Sequence, residues 1–463
     1  MLKRYRRDLR WQRSCIHDRD QLVGKSCLVK NIVVLGTGMA GFGATSFLHD
    51  KGIRPTVYDK NAYYGGHTAS FRDKNGFLFD LGPHISFTKD VRIQKLFAQY
   101  VDEKYEAVQV KLNNYWRGLH LTHPVQLHLN GLPKDLIVEI VADFVKEHGV
   151  ERKINNYEDW LVASYGRKFA ELFPMQYTRK YHMTSADNMS TEWLGPRMYR
   201  PSLEEMLRGA LAPWTPDVHY ITNFRYPTDG GFVSYLKGLP AIADLRLSHE
   251  LVAVNPRERE LRFSNGFKTR YDALVSSIAL PELVAMVAEA PQDVVNASKR
   301  LACSTCVLVN VGVNRSDLSD AQITYFYDQD ICFTRLSFPH MLSATNVPPG
   351  CGSIQAEVYF SSKYRPLTQS PEALIDPVIA DLRRAGTLRD DDAIISRHAS
   401  MVRYANVIFD LERAKALETV HGYLRDIGVD YCGRYGDWGY MWTDESYISG
   451  ERAAESALSR YSA

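Results

Sequence analysis

Long hydrophobic runs are missing from this chain. The most apolar stretch, DALVSSIALPELVAMVAEA, is broken by Pro281, Glu282 and Glu289, so it does not read as a membrane-crossing helix. Cysteine is scarce: seven in 463 residues, odd in number and scattered, which argues against a disulfide framework and for a reducing, cytoplasmic setting. Net charge is nearly absent, at +2 from 56 Lys and Arg against 54 Asp and Glu. Bulk electrostatics therefore gives no reason to expect nucleic acid or an anionic membrane as partner. No internal repeat and no low-complexity tract is present, which excludes a repeat architecture. What remains is an ordinary globular composition, 45% hydrophobic and 24% charged, in a chain too long for one core, so two domains are expected.

Residues 1–30 differ from the rest, with nine Lys or Arg against three Asp and no apolar core of signal-peptide length. They read as a basic N-terminal extension, either a solvated tail or residues added by an upstream start codon. The second is preferred, and neither gives the segment a catalytic task.

The most informative segment is NIVVLGTGMAGFGATSFLHDKGIRPTVYDK, residues 31–60. It reads as a strand, a glycine turn, a helix, a second strand and an acidic residue at its end, the pattern of a dinucleotide site. Gly36 makes the tight turn, Gly38 lets backbone approach a pyrophosphate, and Gly41 lets the helix pack on the sheet. Asp59 suits a ribose hydroxyl. The helix beginning at Met39 and Ala40 would present unpaired N–H groups and its positive dipole end to a diphosphate.

Further along, TASFRDKNGFLFDLGPHISF reads as a β-hairpin turning at Asn75-Gly76 and leading into Gly82-Pro83-His84. Residues 91–212 read as mostly helical, with Leu136, Ile137, Ile140, Val141, Phe144 and Val145 on one helix face. Strand character returns from Arg246 in HELVAV, ELRFSNGFKTRY and ALVSSIAL. Four more strands are expected in CVLVNVGVN, ITYFYD, CFTRLSF and GSIQAEVYF, enough for a sheet that floors a substrate cavity. The last segment reads as a short strand, a loop and an amphipathic helix.

These motifs together resemble the FAD-dependent amine oxidoreductase superfamily, which includes protoporphyrinogen oxidase-like enzymes and UDP-galactopyranose mutases. Gly65-Gly66, followed by His67, resembles that superfamily's second FAD-contacting segment, which points to FAD rather than NAD. Gly433-Arg434 with Asp444, Glu445 and Ser446 resembles the segment that closes over the flavin ring. The resemblance implies cofactor contacts from Gly36, Gly38, Met39, Ala40, Gly41, Asp59, Lys60, Gly65, Gly66, His67, Gly82, Pro83, His84, Val252, Gly433, Arg434, Asp444, Glu445 and Ser446.

Other segments are similar to the mutases in particular. There the histidine of Gly82-Pro83-His84-Ile85 lies near the flavin, and the YTRK stretch with Trp193 and Arg197 carries one diphosphate-binding arginine. Arg335 in FTRLSFPH resembles the other, and Tyr404 and Tyr440 resemble aromatic residues facing the sugar nucleotide. Two arginines suit a diphosphate because each planar guanidinium can donate two parallel charge-assisted hydrogen bonds. Tyr181-His182 departs from the mutases' glutamine-tryptophan pair, His67 from their asparagine, and ALVSSIALPEL is more like the protoporphyrinogen oxidase segment.

His84, Arg197, Arg335, Tyr404 and Tyr440 are thus the catalytic candidates. Each also has an ordinary structural reading: a carbonyl-bonded histidine, bridging salt bridges, amphipathic core tyrosines. The Cys303 and Cys306 pair lacks a second ligand pair and reads as structural, and His120, His123 and His128 read as non-metal.

The expected fold is α/β, a discontinuous FAD-binding Rossmann-like domain (31–90, 225–300 and 425–463) with an inserted α+β substrate domain (91–224 and 301–424). The expected function is an FAD-dependent oxidoreductase acting on a small molecule at flavin N5. The alternative is a mutase-like isomerase exchanging pyranose and furanose forms of a nucleotide sugar on reduced FAD.

Overall fold

The computed structural model describes residues 31–213 and 221–462. The basic extension 1–30 lies outside the described residues.

A five-stranded sheet forms the first layer, in the order Val429–Tyr431, Ala273–Ser276, Ile32–Leu35, Thr56–Tyr58, Asp244–Arg246. All four contacts are parallel. Parallel strands are covered on both faces, and Ile32–Leu35 and Ala273–Ser276 are accordingly buried throughout. This doubly covered sheet, assembled from the beginning, middle and end of the chain, is the Rossmann-like α/β unit expected from the glycine motif.

Helix Met39–Asp50 follows the first strand, and the final helix, Thr443–Ser462, lies against it. Their contact is backbone to backbone. A Cβ on Gly43 would stand 1.9 Å from the Tyr447 carbonyl oxygen, and one on Gly450 would stand 1.9 Å from that of Ala40. Glycine on both helices is what lets them approach.

The second layer is a seven-stranded sheet, ordered Ile394–Val402, Thr305–Val313, Gly352–Phe360, Arg335–Ser337, Ile323–Phe326, Leu112–Trp116, Leu119–Thr122. Its contacts are antiparallel except between Ile323–Phe326 and Leu112–Trp116. The four strands expected between 303 and 360 all lie here. Gly352–Phe360 is buried along its whole length, which is why its sequence barely alternates.

Residues 91–212 correct one expectation. Between helix Val91–Tyr100 and the helices that start at Lys134, the chain forms strands Tyr105–Gln109, Leu112–Trp116 and Leu119–Thr122. The last two join through a turn at Arg117-Gly118, both at positive φ (50° and 83°). The signal was present as Leu119 and Leu121 alternating with His120 and Thr122 after a two-residue turn, but the strong helical period of 134–147 masked it. On that helix Ile140 and Phe144 are buried as expected, whereas Val145 is 50% exposed and faces outward.

The hairpin Ser70–Arg72 with Leu78–Asp80 forms antiparallel, and Asp73 Oδ1 accepts from the Asn75 and Phe77 amides, both at 2.9 Å, to shape its loop. It delivers Gly82, Pro83 and His84 between the two layers. No helix among the described residues is long and apolar enough to cross a membrane.

Candidate functional site

Two glycine turns lie one on the other at the end of the first strand. Gly36 sits at φ 99°, and a Cβ on Gly41 would stand 1.9 Å from the Gly36 carbonyl oxygen. The Gly65 amide donates to the Thr37 carbonyl at 3.2 Å, which stacks the Gly65-Gly66 turn on the first. Gly38 differs from its neighbours, since a Cβ there would meet nothing nearer than the Gly65 carbonyl oxygen and the Gly66 Cα at 3.8 Å. No protein atom makes glycine compulsory at Gly38, so its bareness leaves room beside the helix start. That helix has no side-chain cap and no acidic residue in its first turn, while Met39, Ala40 and Gly41 are buried. A helix N-terminus without a cap or a carboxylate is a place for an anion.

Asp59 is deeply engaged. Its Oδ2 accepts from the Thr37 amide (2.9 Å) and hydroxyl (2.6 Å), and its Oδ1 from the Asn61 amide (2.9 Å) and side chain (3.0 Å). A carboxylate has about four acceptor positions, so Asp59 here braces the glycine turn. Lys60 and Glu445 are exposed, and Val252 turns a 48% exposed side chain to solvent in the small sheet Leu251–Asn255, Glu260–Phe263, Lys268–Arg270. None of the three adds a side chain to the cluster described next. Glu445 caps its own helix by accepting from the Trp442 amide at 2.7 Å. Asp444 and Ser446 also lie in the first turns of that helix, partly buried.

Beyond the glycine turns, side chains from both layers converge. Tyr440 is central: the Arg197 guanidinium lies over its ring at 4.5 Å, Arg434 at 5.2 Å, and its hydroxyl is 3.4 Å from that of Tyr181. Arg335 lies 5.9 Å from the Tyr181 ring and forms a two-pronged ion pair with Glu357, Nε to Oε1 and Nη2 to Oε2, both at 2.7 Å. Glu357 also accepts from the Tyr359 hydroxyl. His67 packs on the Tyr435 ring at 4.8 Å, and Tyr435 packs on Tyr404 at 6.1 Å. Tyr404 therefore stands one ring away from the arginines.

Arg197 and Arg434 have no carboxylate partner among the described residues. Arg197 donates to the carbonyls of Trp193 (3.3 Å) and Tyr440 (3.0 Å), and its buried Nε has no hydrogen-bond partner. Arg434 donates to the Met441 carbonyl (2.9 Å) and, more weakly, to the Ala405 carbonyl and Asn406 Oδ1 (3.3 and 3.4 Å). A guanidinium held away from water without a counter-charge is costly unless an anion completes it.

His84 Nδ1 lies 2.9 Å from the Gly82 carbonyl oxygen. Since a carbonyl only accepts, Nδ1 carries the proton and Nε2 keeps a lone pair. Burial first, then Arg434, His67 and Arg335, pushes the His84 pKa down to about 3. Burial with Arg434 and Lys60 lowers that of His67 to about 4. Both rings are neutral at working pH. Arg335 is held above its ordinary range because the Glu357 carboxylate and nearby tyrosines outweigh its burial.

Comparisons with known proteins bear on the nucleotide-binding segment and on the fold. The NAD(P)-binding Rossmann-like domain family matches residues 34–100. A 15-cis-phytoene desaturase of Glycine max is 35% identical over 69 residues, and a 4,4'-diaponeurosporene oxygenase of Staphylococcus aureus is 32% identical over 92. These matches cover 15% and 20% of this chain but only 12% and 18% of the relatives' own lengths. A crystal structure of reduced UDP-galactopyranose mutase covers 94% of this chain and 94% of its own, with a TM-score of 0.85 and 25% identity. Taken together, these likenesses are to the FAD amine-oxidase-like superfamily. The chain is also similar in fold to a putative protoporphyrinogen oxidase from Exiguobacterium sp. 255-15, with a TM-score of 0.73 and 16% identity over 94% of this chain and all of that one.

Sequence reasoning missed Glu357 and Asp80. Each is a charge inside an apolar run, GSIQAEVYF and FLFDL, and that was the available signal. Asp80 is 6% exposed and accepts from the Ser70 hydroxyl (2.5 Å), the Tyr226 hydroxyl (2.8 Å) and the Phe232 amide (3.2 Å). Burial, only partly offset by these bonds, raises its pKa to about 6. Cys303 and Cys306 are both buried and reduced, with thiols pushed upward by burial.

Proposed function

We propose that this protein is an FAD-dependent enzyme acting on an anionic, diphosphate-bearing substrate, and that its reaction is the pyranose–furanose exchange of a nucleotide sugar. The observation carrying this reading is the pair of guanidinium groups without a carboxylate partner among the described residues, Arg197 and Arg434, both packed on the Tyr440 ring. With Arg335 and its counter-charge Glu357 the site keeps an excess of two positive charges. That matches a diphosphate and is wasted on an apolar substrate.

The bare backbone at Gly38 and the uncapped helix start at Met39 fit the FAD diphosphate, with Gly65, Gly66, Gly82 and Gly433 supplying further close backbone. Bound and reduced, FAD would supply an electron-rich ring to the sugar's anomeric carbon. The chain's own side chains do the rest. Arg197 and Arg434 supply the net positive charge that stabilises the departing diphosphate, and Arg335, held by Glu357, adds directed N–H donors to it, an electrostatic role. Glu357 fixes the plane of Arg335. The hydroxyls of Tyr181 and Tyr440 hold the sugar phosphate, and Nε2 of neutral His84 accepts a hydrogen bond from a sugar hydroxyl.

The second reading is oxidation of a carbon–nitrogen or carbon–carbon bond. Its support is that the curated relatives are a desaturase and an oxygenase and that Tyr181-His182 departs from the mutase pattern. That sequence match lies in the nucleotide-binding segment and says little about the substrate wall.

The deciding experiment records the flavin spectrum of the purified protein, then assays UDP-sugars with dithionite-reduced enzyme and amine or porphyrinogen substrates with oxidised enzyme. Isomerised sugar without acceptor consumption is expected, lost in Arg197→Ala and Arg335→Ala by about 10²–10³-fold. Turnover of a UDP-sugar unaffected by both substitutions would defeat this reading, and oxidation of an amine or porphyrinogen would establish the second.

A further inference from the structure

Three polar side chains cross the apolar middle of the seven-stranded sheet in one line. In the strand register Asn310 stands opposite Gln355 on one side and His398 on the other. Asn310 and Gln355 are each 2% exposed, and Asn310 interrupts the run TCVLVNVGV. Buried amides need partners. Asn310 Nδ2 lies 3.1 Å from His398 Nε2, while Gln355 Nε2 donates to Asn310 Oδ1 at 2.9 Å and to the Asp80 carbonyl at 2.8 Å. That carbonyl also accepts the Gly82 amide at 2.8 Å, and the Gly82 carbonyl holds His84 Nδ1 at 2.9 Å. A continuous chain of hydrogen bonds thus runs from His398 to the His84 ring. His398 itself lines a surface groove with Arg72, Asp73, Lys74 and Arg397.

One end of the chain dictates every orientation in it. The Asp80 carbonyl can only accept, so Gln355 must turn its NH2 group toward it. Asn310 must then offer Oδ1 to Gln355 and its own NH2 to His398. His398 Nε2 is left as an acceptor, which requires a neutral ring with its proton on Nδ1.

We propose that His398, Asn310 and Gln355 are positioning residues that hold the Asp80–His84 turn, and with it the His84 ring, and that a proton on His398 uncouples them. A protonated Nε2 would donate where it now accepts, and Asn310 would have to turn over. Its NH2 would then face that of Gln355, and Gln355, turning in answer, would set its own oxygen against the Asp80 carbonyl. Asp73 faces His398 from the hairpin loop and favours its protonation, while burial opposes it and holds the ring below the ordinary imidazole range. The Phe79 ring packs edge-on at 5.3 Å, and Arg397 on the same strand is already paired with Asp376. Arg72 and Lys74 in the groove also disfavour a second positive charge.

This inference rests on His84 facing the substrate, yet its test needs neither flavin nor turnover. Full-length protein labelled with ¹⁵N-histidine is examined by long-range ¹H–¹⁵N NMR over ~pH 5 to 8, with the His84 signals assigned through His84→Gln. The wild type should show the Nδ1–H form of His84, weakening toward the acid end. His398→Gln, which can accept but not take up a proton there, should keep that form at every pH. His398→Lys, which only donates, and Gln355→Met should lose it throughout and lower kcat about tenfold, the scale on which outer hydrogen-bond partners act. If Gln355→Met does not fold, the two His398 variants decide alone. A wild-type His84 pattern in His398→Lys would overturn the relay whether or not the protein turns over a UDP-sugar. A changed pattern in a protein inert toward UDP-sugars would sink the functional proposal and leave the relay standing.

Discussion

The glycine-lined turns and the arginine-lined wall are built in opposite ways. The first site is backbone: two glycine turns, a bare helix start and a carboxylate that braces the loop from beneath. Its specification is local, contained in residues 36–66. The wall is side chain, and its members are brought together only by the fold. Arg335 and Glu357 come from neighbouring strands, while Arg197 comes from the first half of the chain and Arg434 and Tyr440 from its last segment. A backbone site tolerates little change in shape, and a side-chain site tolerates little change in charge. The two should therefore fail differently when altered.

The largest effect is expected where backbones touch. Gly450→Val and Gly41→Ala put carbon atoms within 1.9 Å of a carbonyl oxygen, so neither should yield soluble, cooperatively melting protein. Glu357→Gln comes next, since it strands a buried guanidinium. The loss should be on the order of 3–5 kcal/mol of stability, measured by urea denaturation. An unchanged midpoint would mean that Arg335 finds another partner and that the wall is less dependent on charge than argued. Gly38→Ala sharpens the contrast, because its Cβ has space within the protein. Its Tm without cofactor should stay at the wild-type value, while the FAD Kd rises about tenfold or more, equivalent to about 1.4 kcal/mol. A normal Kd would show that no ligand backbone passes there.

The remaining test is a pH dependence. His67, His84 and His182 are buried with pKa values lowered to about 4, 3 and 3 from 6.5. Between about pH 6.5 and 4 the unfolded chain binds more protons at these rings, so stability falls as pH drops through that window. Asp80 acts in the other direction: its pKa, raised to about 6 from 3.8, makes the folded state bind more protons between those values. The three rings should outweigh the one carboxyl. Thermal melts at pH 7 and pH 5 should show the lower Tm at pH 5, and the reverse order would mean that the rings have acid partners when folded.

The same contrast explains what was legible in the sequence. A glycine turn is read from spacing because its requirement, a positive φ or a close approach, concerns a few adjacent residues. The α/β class and the strands from 246 onward followed from apolar runs and Asn-Gly turns for the same reason. The wall was legible only through family resemblance, which pointed to Arg197, Arg335 and Tyr440. It did not reveal Glu357, because ion pairing depends on strand register rather than on spacing along the chain. Asp59 shows the limit from the other side. Its position at the end of the second strand was read correctly as part of the motif, yet its acceptor capacity is spent on Thr37 and Asn61, which no linear pattern displays. The strands at 105–122 were overlooked because a strong neighbouring helix lent its period to a region that alternates.

The interlocked glycines of the first and last helices carry a consequence for the order of events during synthesis. The pocket wall beside the glycine turns is completed by a segment translated some four hundred residues after them. A nascent chain emerging from the ribosome can shape its opening turn early, but the closing helix joins it only at the end of synthesis. On the proposed function, loading of FAD would therefore be a late, post-translational act, and truncation at the C-terminus should abolish it as completely as damage at the beginning.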